Sequence, residues 1–238
     1  MSNAHRLPIA LRRDETPIDR TLRFEVPAGA EDAFRFVPGQ FLTISLPDDE
    51  VRPPRKRAYS LSSSPTDAGI LEITVRDMGD VGSRLFRHEP GAALDVIPPR
   101  GKFTLESDTD DVLMLAGGSG VTPFRSFVRY VVATAPTRNV TLVASAKIPS
   151  ELVFDAEFRA HAAGRSAFRY VPAVTRGTDG RPFDGHVGRI DEALVRSRIA
   201  DPARTWVYAC GAPPFVESML SMAAAAGVPP ERRKKEAW

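Results

Sequence analysis

The chain has 238 residues, 42% hydrophobic and 26% charged, with 32 Lys and Arg against 30 Asp and Glu for a formal net charge of +2. That balance belongs to a globular protein with room for two ordinary domains, and it excludes a strongly basic nucleic-acid binder. The single cysteine, Cys210, leaves no internal disulfide and no multi-cysteine iron–sulfur or zinc cluster.

No apolar core follows the basic start Met1-Ser2-Asn3-Ala4-His5-Arg6, so no signal peptide is readable there. No apolar run reaches bilayer length either, and the expected location is cytoplasmic, away from membranes. From Pro8 to about Leu105 the punctuation is that of short strands. Residues 21–26, 41–46 and 71–75 alternate polar and apolar, and Pro27-Ala28-Gly29, Pro38-Gly39 and Pro98-Pro99 cut the runs. The pattern predicts a small antiparallel barrel. Within it, Arg57-Ala58-Tyr59-Ser60 joins a cation, an aromatic ring and a hydroxyl in one extended run. Such a set suits a flat redox ring with a phosphate tail, or is a charged edge strand before a serine turn. Gly79-Asp80-Val81-Gly82-Ser83 reads as a loop opening a short helix, where free N–H groups and the Ser83 hydroxyl suit a phosphate; an ordinary glycine turn reads the same way.

The acidic stretch 106–111 marks a domain junction. The run Val112-Leu113-Met114-Leu115-Ala116 is that of a parallel strand buried on both faces. Gly117-Gly118-Ser119-Gly120 follows, then Val121-Thr122-Pro123 and a helix through Val131. Strand, glycine turn and helix together aim backbone donors at a dinucleotide pyrophosphate. Pro123 stands where the usual fingerprint has its third glycine, so a relative of the standard nucleotide-binding half is expected. Strands at 140–144, 168–171 and 206–210 alternate with helices at 151–163, 190–199 and 215–226, which predicts a parallel sheet covered on both faces.

In this order and spacing, Arg57-Ala58-Tyr59-Ser60, Gly82-Ser83, Gly117 to Pro123, Cys210-Gly211 and the terminal Glu236-Ala237-Trp238 resemble the ferredoxin–NADP reductase family over nearly the whole chain. The resemblance implies an antiparallel six-stranded Greek-key β-barrel holding FAD (residues 1–106), then an α/β parallel-sheet domain for NADPH or NADH (107–238), with the two rings meeting between them. It puts Arg57 on the flavin phosphates, Tyr59 against the isoalloxazine, and Ser60 at its N5, with Ala58 and Val75 beside them. Gly82 and Ser83 would cradle the FAD pyrophosphate. Gly117, Gly118, Ser119, Gly120, Thr122 and Pro123 would receive the reductant, and Cys210 and Gly211 would sit at its nicotinamide. Trp238 would cover the other flavin face, with Glu236 close to N5.

The implied activity is hydride transfer from NAD(P)H to flavin and single-electron delivery to a separate acceptor, such as an acidic ferredoxin or an oxygenase component. Ser60, Cys210 and Glu236 would carry it. Reduction of ferric chelates, quinones or flavins, or a non-catalytic electron-transfer subunit, are the alternatives. Ser145-Ala146-Lys147 has no acid for ribose hydroxyls, and Arg176 could meet a 2′-phosphate, which favours NADPH; both are equally readable as solvated loop residues. The cation runs Arg52, Arg55, Lys56, Arg57 and Arg232, Arg233, Lys234, Lys235 are solvated faces or a dock for an acidic partner. Neither run is interleaved with stacking aromatics, so nucleic acid is not expected.

Overall fold

The computed structural model describes residues 4–46, 55–106, 109–164, 167–178, 180 and 182–237. Two compact units divide the chain: residues 1–105 with 125–130, and residues 106–124 with 131–238.

The first unit is a six-stranded antiparallel sheet, built from β1 (His5–Thr16), β2 (Asp19–Glu25), β3 (Phe41–Leu46), β4 (Arg55–Ser60), β5 (Ile70–Arg76) and β6 (Ala93–Arg100). Its order is β4-β3-β6-β1-β2-β5, so the chain leaves each hairpin to pair elsewhere, as a Greek key does. A bridge from Leu61 to Ile73 returns the end of β4 to β5 and closes the barrel. Every second residue points inward: Leu7 and Ile9, Leu22 and Phe24, Leu42 and Ile44, Leu94 and Val96 form one buried core. Helix α1 (Gly79–Phe86) caps it through Val81 and Leu85.

Three details differ from the sequence reading. β1 is a full twelve-residue strand, although its Arg and Pro residues obscure any alternation. Pro98 and Pro99 lie inside β6 rather than ending a run; they fall at the irregularity between the Thr43–Ile97 and Phe41–Arg100 pairs, where a strand tolerates residues that lack an N–H. Glu72 and Thr74, the polar positions of the alternating run 71–75, are buried like their apolar neighbours.

The second unit is a six-stranded parallel sheet of β7 (Asp111–Gly117), β8 (Val140–Ala146), β9 (Phe168–Val174), β10 (His186–Val187), β11 (Thr205–Gly211) and β12 (Arg233–Ala237), in the order β10-β9-β8-β7-β11-β12. Helices α2 (Thr122–Thr134), α3 (Asp155–Ala163), α4 (Glu192–Arg196) and α5 (Pro213–Ala225) alternate with the strands. Leu113, Leu115, Val207 and Ala209 pack with Val216, Met219 and Ala223 of α5. Each Leu, Val or Met side chain so buried contributes about 1.5–3 kcal/mol. The helix expected over 151–163 starts later, at Asp155. Phe154 takes φ +62° before it, its buried ring edge-on to Phe158 at 6.1 Å. The last charged residues form strand β12 in register with β11. Among the described residues no helix is long and apolar enough to cross a membrane.

Candidate functional site

In the first unit the expected Arg57, Ala58, Tyr59 and Ser60 sit on β4, which pairs with β3 at the end of the strand order. Arg57 and Ala58 are exposed, while Tyr59 and Ser60 are half-buried and the Tyr59 ring packs on the core. Burial pushes the Tyr59 phenol up to about 12, against the pull of the neighbouring Arg57 guanidinium. Arg57 makes no ion pair among the described residues. A solvated guanidinium on an edge strand, next to an aromatic ring that stays neutral, has the chemistry to take a phosphate and a flat ring.

Helix α1 already includes the stretch expected as its leading loop, beginning at Gly79 with Met78 as its N-cap and no side-chain cap. Its open N–H groups therefore belong to residues 79–81, because the N-cap carbonyl of Met78 takes the first intrahelical bond, and the Ser83 hydroxyl lies past the first turn. Gly82 is needed for packing: a Cβ there would meet the Arg76 carbonyl at 2.5 Å. Asp80 in that first turn pairs with Arg55 at 3.3 Å, tying α1 to β4. Val75 is wholly buried in the barrel core, so its side chain faces inward.

A buried charge cluster, absent from the sequence reading, stands beside the serine turn after Ser60. Glu72 accepts from Arg23 at 2.8 and 2.9 Å and from Arg125 at 2.5 Å. Its backbone bonds the Ser62 N–H at 2.8 Å and the Ser63 hydroxyl at 3.0 Å. Burial alone would raise the Glu72 carboxyl, but Arg125 and Arg23 outweigh it and hold the group below the usual glutamate range.

The second unit has its topological switch between β7 and β11. From β7 the chain runs outward through β8, β9 and β10, then returns to β11 on the other side. Ligands of such sheets bind outside the strand carboxyl ends at that point. Gly117, Gly118, Ser119 and Gly120 leave β7 there, in a tight turn over Gly118–Val121, and Cys210 and Gly211 end β11 beside them. The approach is too close for side chains: a Cβ on Gly120 would lie 2.2 Å from the Cys210 carbonyl, and one on Gly117 would lie 2.9 Å from the Phe215 ring. Gly118 adopts φ +55°. Thr122 is buried and donates its hydroxyl to the Ser119 carbonyl at 2.7 Å, and Pro123 lies in the first turn of α2. Phe215, from the start of α5, packs under both Gly117 and Gly211. Sequence reasoning missed it, though an aromatic just after Pro213-Pro214 was visible.

Cys210 is fully buried, its thiol donating toward Glu236 at 4.0 Å. Burial, then the Glu236 carboxylate, push the thiol well above its ordinary value, so the sulfur is protonated at neutral pH. β12 pairing puts Glu236 directly opposite Cys210. Trp238 lies outside the described residues. Ser145, next to last in β8, pairs with Gly117. Lys147 and Arg176, both exposed, are joined by the Arg176 N–H to Lys147 carbonyl bond at 2.8 Å. The two cation runs part company. Arg52 lies outside the described residues and Lys56 is exposed. Arg232 instead pairs with Asp110 at 2.9 Å and Lys234 with Glu106 at 2.9 Å, and both cations lie over the Trp206 ring.

Comparison with known proteins agrees with both units. Residues 12–105 match an oxidoreductase FAD-binding domain, and 114–220 match an oxidoreductase NAD-binding domain. The ferredoxin–NADP reductase B of Sorangium cellulosum is 32% identical over 222 residues, covering 89% of this chain and 87% of that protein. The chain belongs to the ferredoxin–NADP reductase family. The glycine betaine monooxygenase reductase subunit of Chromohalobacter salexigens is 31% identical, over 78% of this chain but 51% of that protein. Across several such curated relatives the chain spans about half to two thirds of their length. The solved ferredoxin NADP+ reductase of Neisseria gonorrhoeae, with bound FAD and NADP, has the same fold, with a TM-score of 0.84, 22% identity, and coverage of 100% and 99% of the two chains. The cofactors that its two matched domains take are FAD and a nicotinamide nucleotide.

The residues present fit both groups. The first unit offers a guanidinium with no ion pair among the described residues, a neutral aromatic and the open helix start of α1. The second offers a strand-end floor that only glycine can line.

Proposed function

We propose that this protein oxidises NADPH and passes the electrons, through FAD, to a separate one-electron acceptor of the ferredoxin or oxygenase-component kind. Residues 1–106 form the FAD domain and 107–238 the nucleotide domain. One observation carries the reading. A single chain joins a switch-point glycine floor ending in a protonated thiol to a barrel edge strand offering Arg57, Tyr59 and Ser60.

When bound, the two cofactors supply the redox chemistry, a hydride from the nicotinamide and stepwise electron release from the flavin. The chain supplies binding, orientation and electrostatics. Arg57 and the N–H groups of residues 79–81 hold the FAD phosphates, with Gly82 and Ser83 adjoining. Tyr59 lies against the flavin ring, with Ala58 and the backbone of Val75 nearby. The Ser60 hydroxyl donates toward flavin N5. Gly117 to Gly120, Thr122 and Pro123 receive the nucleotide, Gly118 and Gly120 letting it approach the backbone. Cys210 and Gly211 present an uncharged surface to the nicotinamide, because the thiol keeps its proton. Glu236 holds that thiol, and Trp238 covers the flavin. No general base is needed, as hydride transfer leaves no proton to remove.

The preference for NADPH rests on Lys147 and Arg176, two exposed cations on adjoining strand ends, with Ser145 beside them and no carboxylate to take ribose hydroxyls. A cytoplasmic location and acceptor docking through Arg55 and Lys56 belong to the same reading. Anaerobic titration tests it. The yellow protein is bleached by NADPH at lower concentration than by NADH, and Lys147→Ala with Arg176→Ala removes that advantage, about tenfold or more. A colourless protein that takes up no flavin, or a yellow one that neither nucleotide bleaches, overturns the reading. Equal affinity for both nucleotides overturns only the NADPH preference.

A further inference from the structure

The last strand of the parallel sheet has no apolar reason to dock where it does. β12 reads Arg233-Lys234-Lys235-Glu236-Ala237, and none of its side chains is buried outright. Its ladder sets Arg233 against Val207, Lys234 against Tyr208 and Glu236 against Cys210. Backbone bonds alone do not fix that alignment. Register is set by which side chains a strand must bury, and a strand that is polar on both faces specifies it weakly. A slip of two residues would keep each side chain on its own face, yet it would bring Lys234 to Cys210 in place of Glu236.

Side chains supply what the ladder lacks. Trp206, Tyr208 and Cys210 alternate onto one face of β11, and Arg232, Lys234 and Glu236 meet them from the neighbouring chain. The half-buried Trp206 ring takes both cations, Arg232 at 4.9 Å and Lys234 at 5.1 Å from its centroid. Each cation also has its own acid, Asp110 for Arg232 and Glu106 for Lys234, both at 2.9 Å. Those acids are fixed from behind. Arg204 pairs with Asp110 at 3.0 Å, and Arg138 donates to the Asp110 and Glu106 carbonyls at 2.8 and 2.9 Å. The Glu106 N–H donates to the Tyr208 hydroxyl at 2.9 Å. The opposite face of β12 grips less. There Arg233 reaches the Pro229 and Leu220 carbonyls only at 3.4 and 3.5 Å, and Lys235 and Ala237 are exposed. The slip that carries Lys234 to Cys210 would put Pro230 and Arg232 at the ring, and one acid would lose its cation.

We propose that Trp206, Asp110 and Glu106 are positioning residues: they set the register of β12, and so place Glu236 rather than Lys234 at the Cys210 thiol. The register stands by itself. Its effect on rate rests on the reading of Cys210 as the neighbour of the nicotinamide. Loss of hydride leaves that ring positively charged, so a carboxylate behind the thiol favours the step and an ammonium there opposes it.

Cross-linking in the full FAD-loaded chain reads the register directly, because Cys210 is the sole cysteine. Glu236→Cys sets a second thiol opposite it, within the roughly 4.4–6.8 Å between Cα atoms that a disulfide spans. Diamide is expected to join the two, taking up the two electrons and two protons that they release. Adding Trp206→Ala is expected to slow cross-linking about tenfold, whereas Trp206→Phe, which keeps a ring under the cations, retains most of it. In the chain that keeps Glu236, Trp206→Ala is expected to slow flavin reduction at saturating NADPH about fivefold with KM little changed, and Trp206→Phe to restore it. Where Trp206→Ala does not fold, Asp110→Asn with Glu106→Gln replaces it, ring intact, with the same expectations. Unchanged cross-linking in Trp206→Ala, or an equal loss in Trp206→Phe, overturns the proposal. Cross-linking lost at an unchanged reduction rate overturns the positioning role. An unmodified chain that neither nucleotide reduces overturns the proposed activity instead, and the cross-linking still decides the register.

Discussion

The barrel and the parallel sheet build their nucleotide surfaces from opposite materials. The barrel presents side chains, Arg57, Tyr59 and Ser60, on an edge strand, and it buries charge beside them in the Glu72 cluster and in the Asp19–Arg76 pair at 2.9 Å. The parallel sheet presents backbone, at strand ends where glycines touch, over a floor of aliphatic strands. The difference follows from topology. An antiparallel barrel strand has one face in the core and another free to carry function, whereas a parallel strand is covered on both faces and only its end is open. Failure should therefore take a different form in each unit. The barrel should respond to the loss of charge or hydroxyl, the sheet to the gain of a methyl.

The largest expected effect is in the barrel. Glu72→Gln leaves Arg125 buried without its counter-charge, which costs about 3–5 kcal/mol and should appear as a lower midpoint in chemical denaturation. The pH dependence has a definite sign. The Glu72 carboxyl titrates lower in the folded than in the unfolded chain, so its contribution is present above the ordinary glutamate value of 4.5 and is lost as pH falls through the lowered folded value. The wild type should lose stability over that acid window more steeply than the variant. Parallel curves would show that Glu72 is not the responsible group.

Next in size is Gly120→Ala. The added methyl would lie 2.2 Å from a backbone carbonyl that cannot yield alone, and such overpacking costs about 1–3 kcal/mol. Nucleotide affinity should fall while FAD content stays near normal. A variant with wild-type nucleotide affinity would break the contrast between the units. Smallest is Ser60→Ala, which removes one hydroxyl from an edge strand. Flavin reduction measured by stopped flow should slow about tenfold, the worth of one hydrogen bond made in the transition state, with thermal stability nearly unchanged. A wild-type rate would remove Ser60 from the mechanism.

Much of this was legible from local pattern. The aliphatic run 112–116 followed by glycines could only be a doubly covered strand entering a nucleotide turn, and β7 and the Gly118–Val121 turn lie there. The Arg57 to Ser60 run lies on β4 as expected. What pattern misplaced has identifiable causes. Glu72 and Thr74 alternate with Leu71, Ile73 and Val75, so period-two reasoning sends them to solvent. They are buried because the serine turn 62–64 bonds across β5 and because Arg125 arrives from fifty residues downstream. The tail 233–237, by charge alone a frayed end, becomes a strand because the open edge of β11 supplies partners for its backbone groups.

By itself, then, the amino-acid order determined which residue types stand together along the chain: cation with ring and hydroxyl, glycines after an aliphatic strand, one cysteine before a glycine. Those are short-range facts, set by neighbours a few bonds away. Only the tertiary structure decided that Glu236 faces Cys210, that Phe215 lies beneath Gly117 and that two arginines enclose Glu72. Strand pairing and helix packing choose such partners across tens of residues, through contacts that local periodicity does not encode.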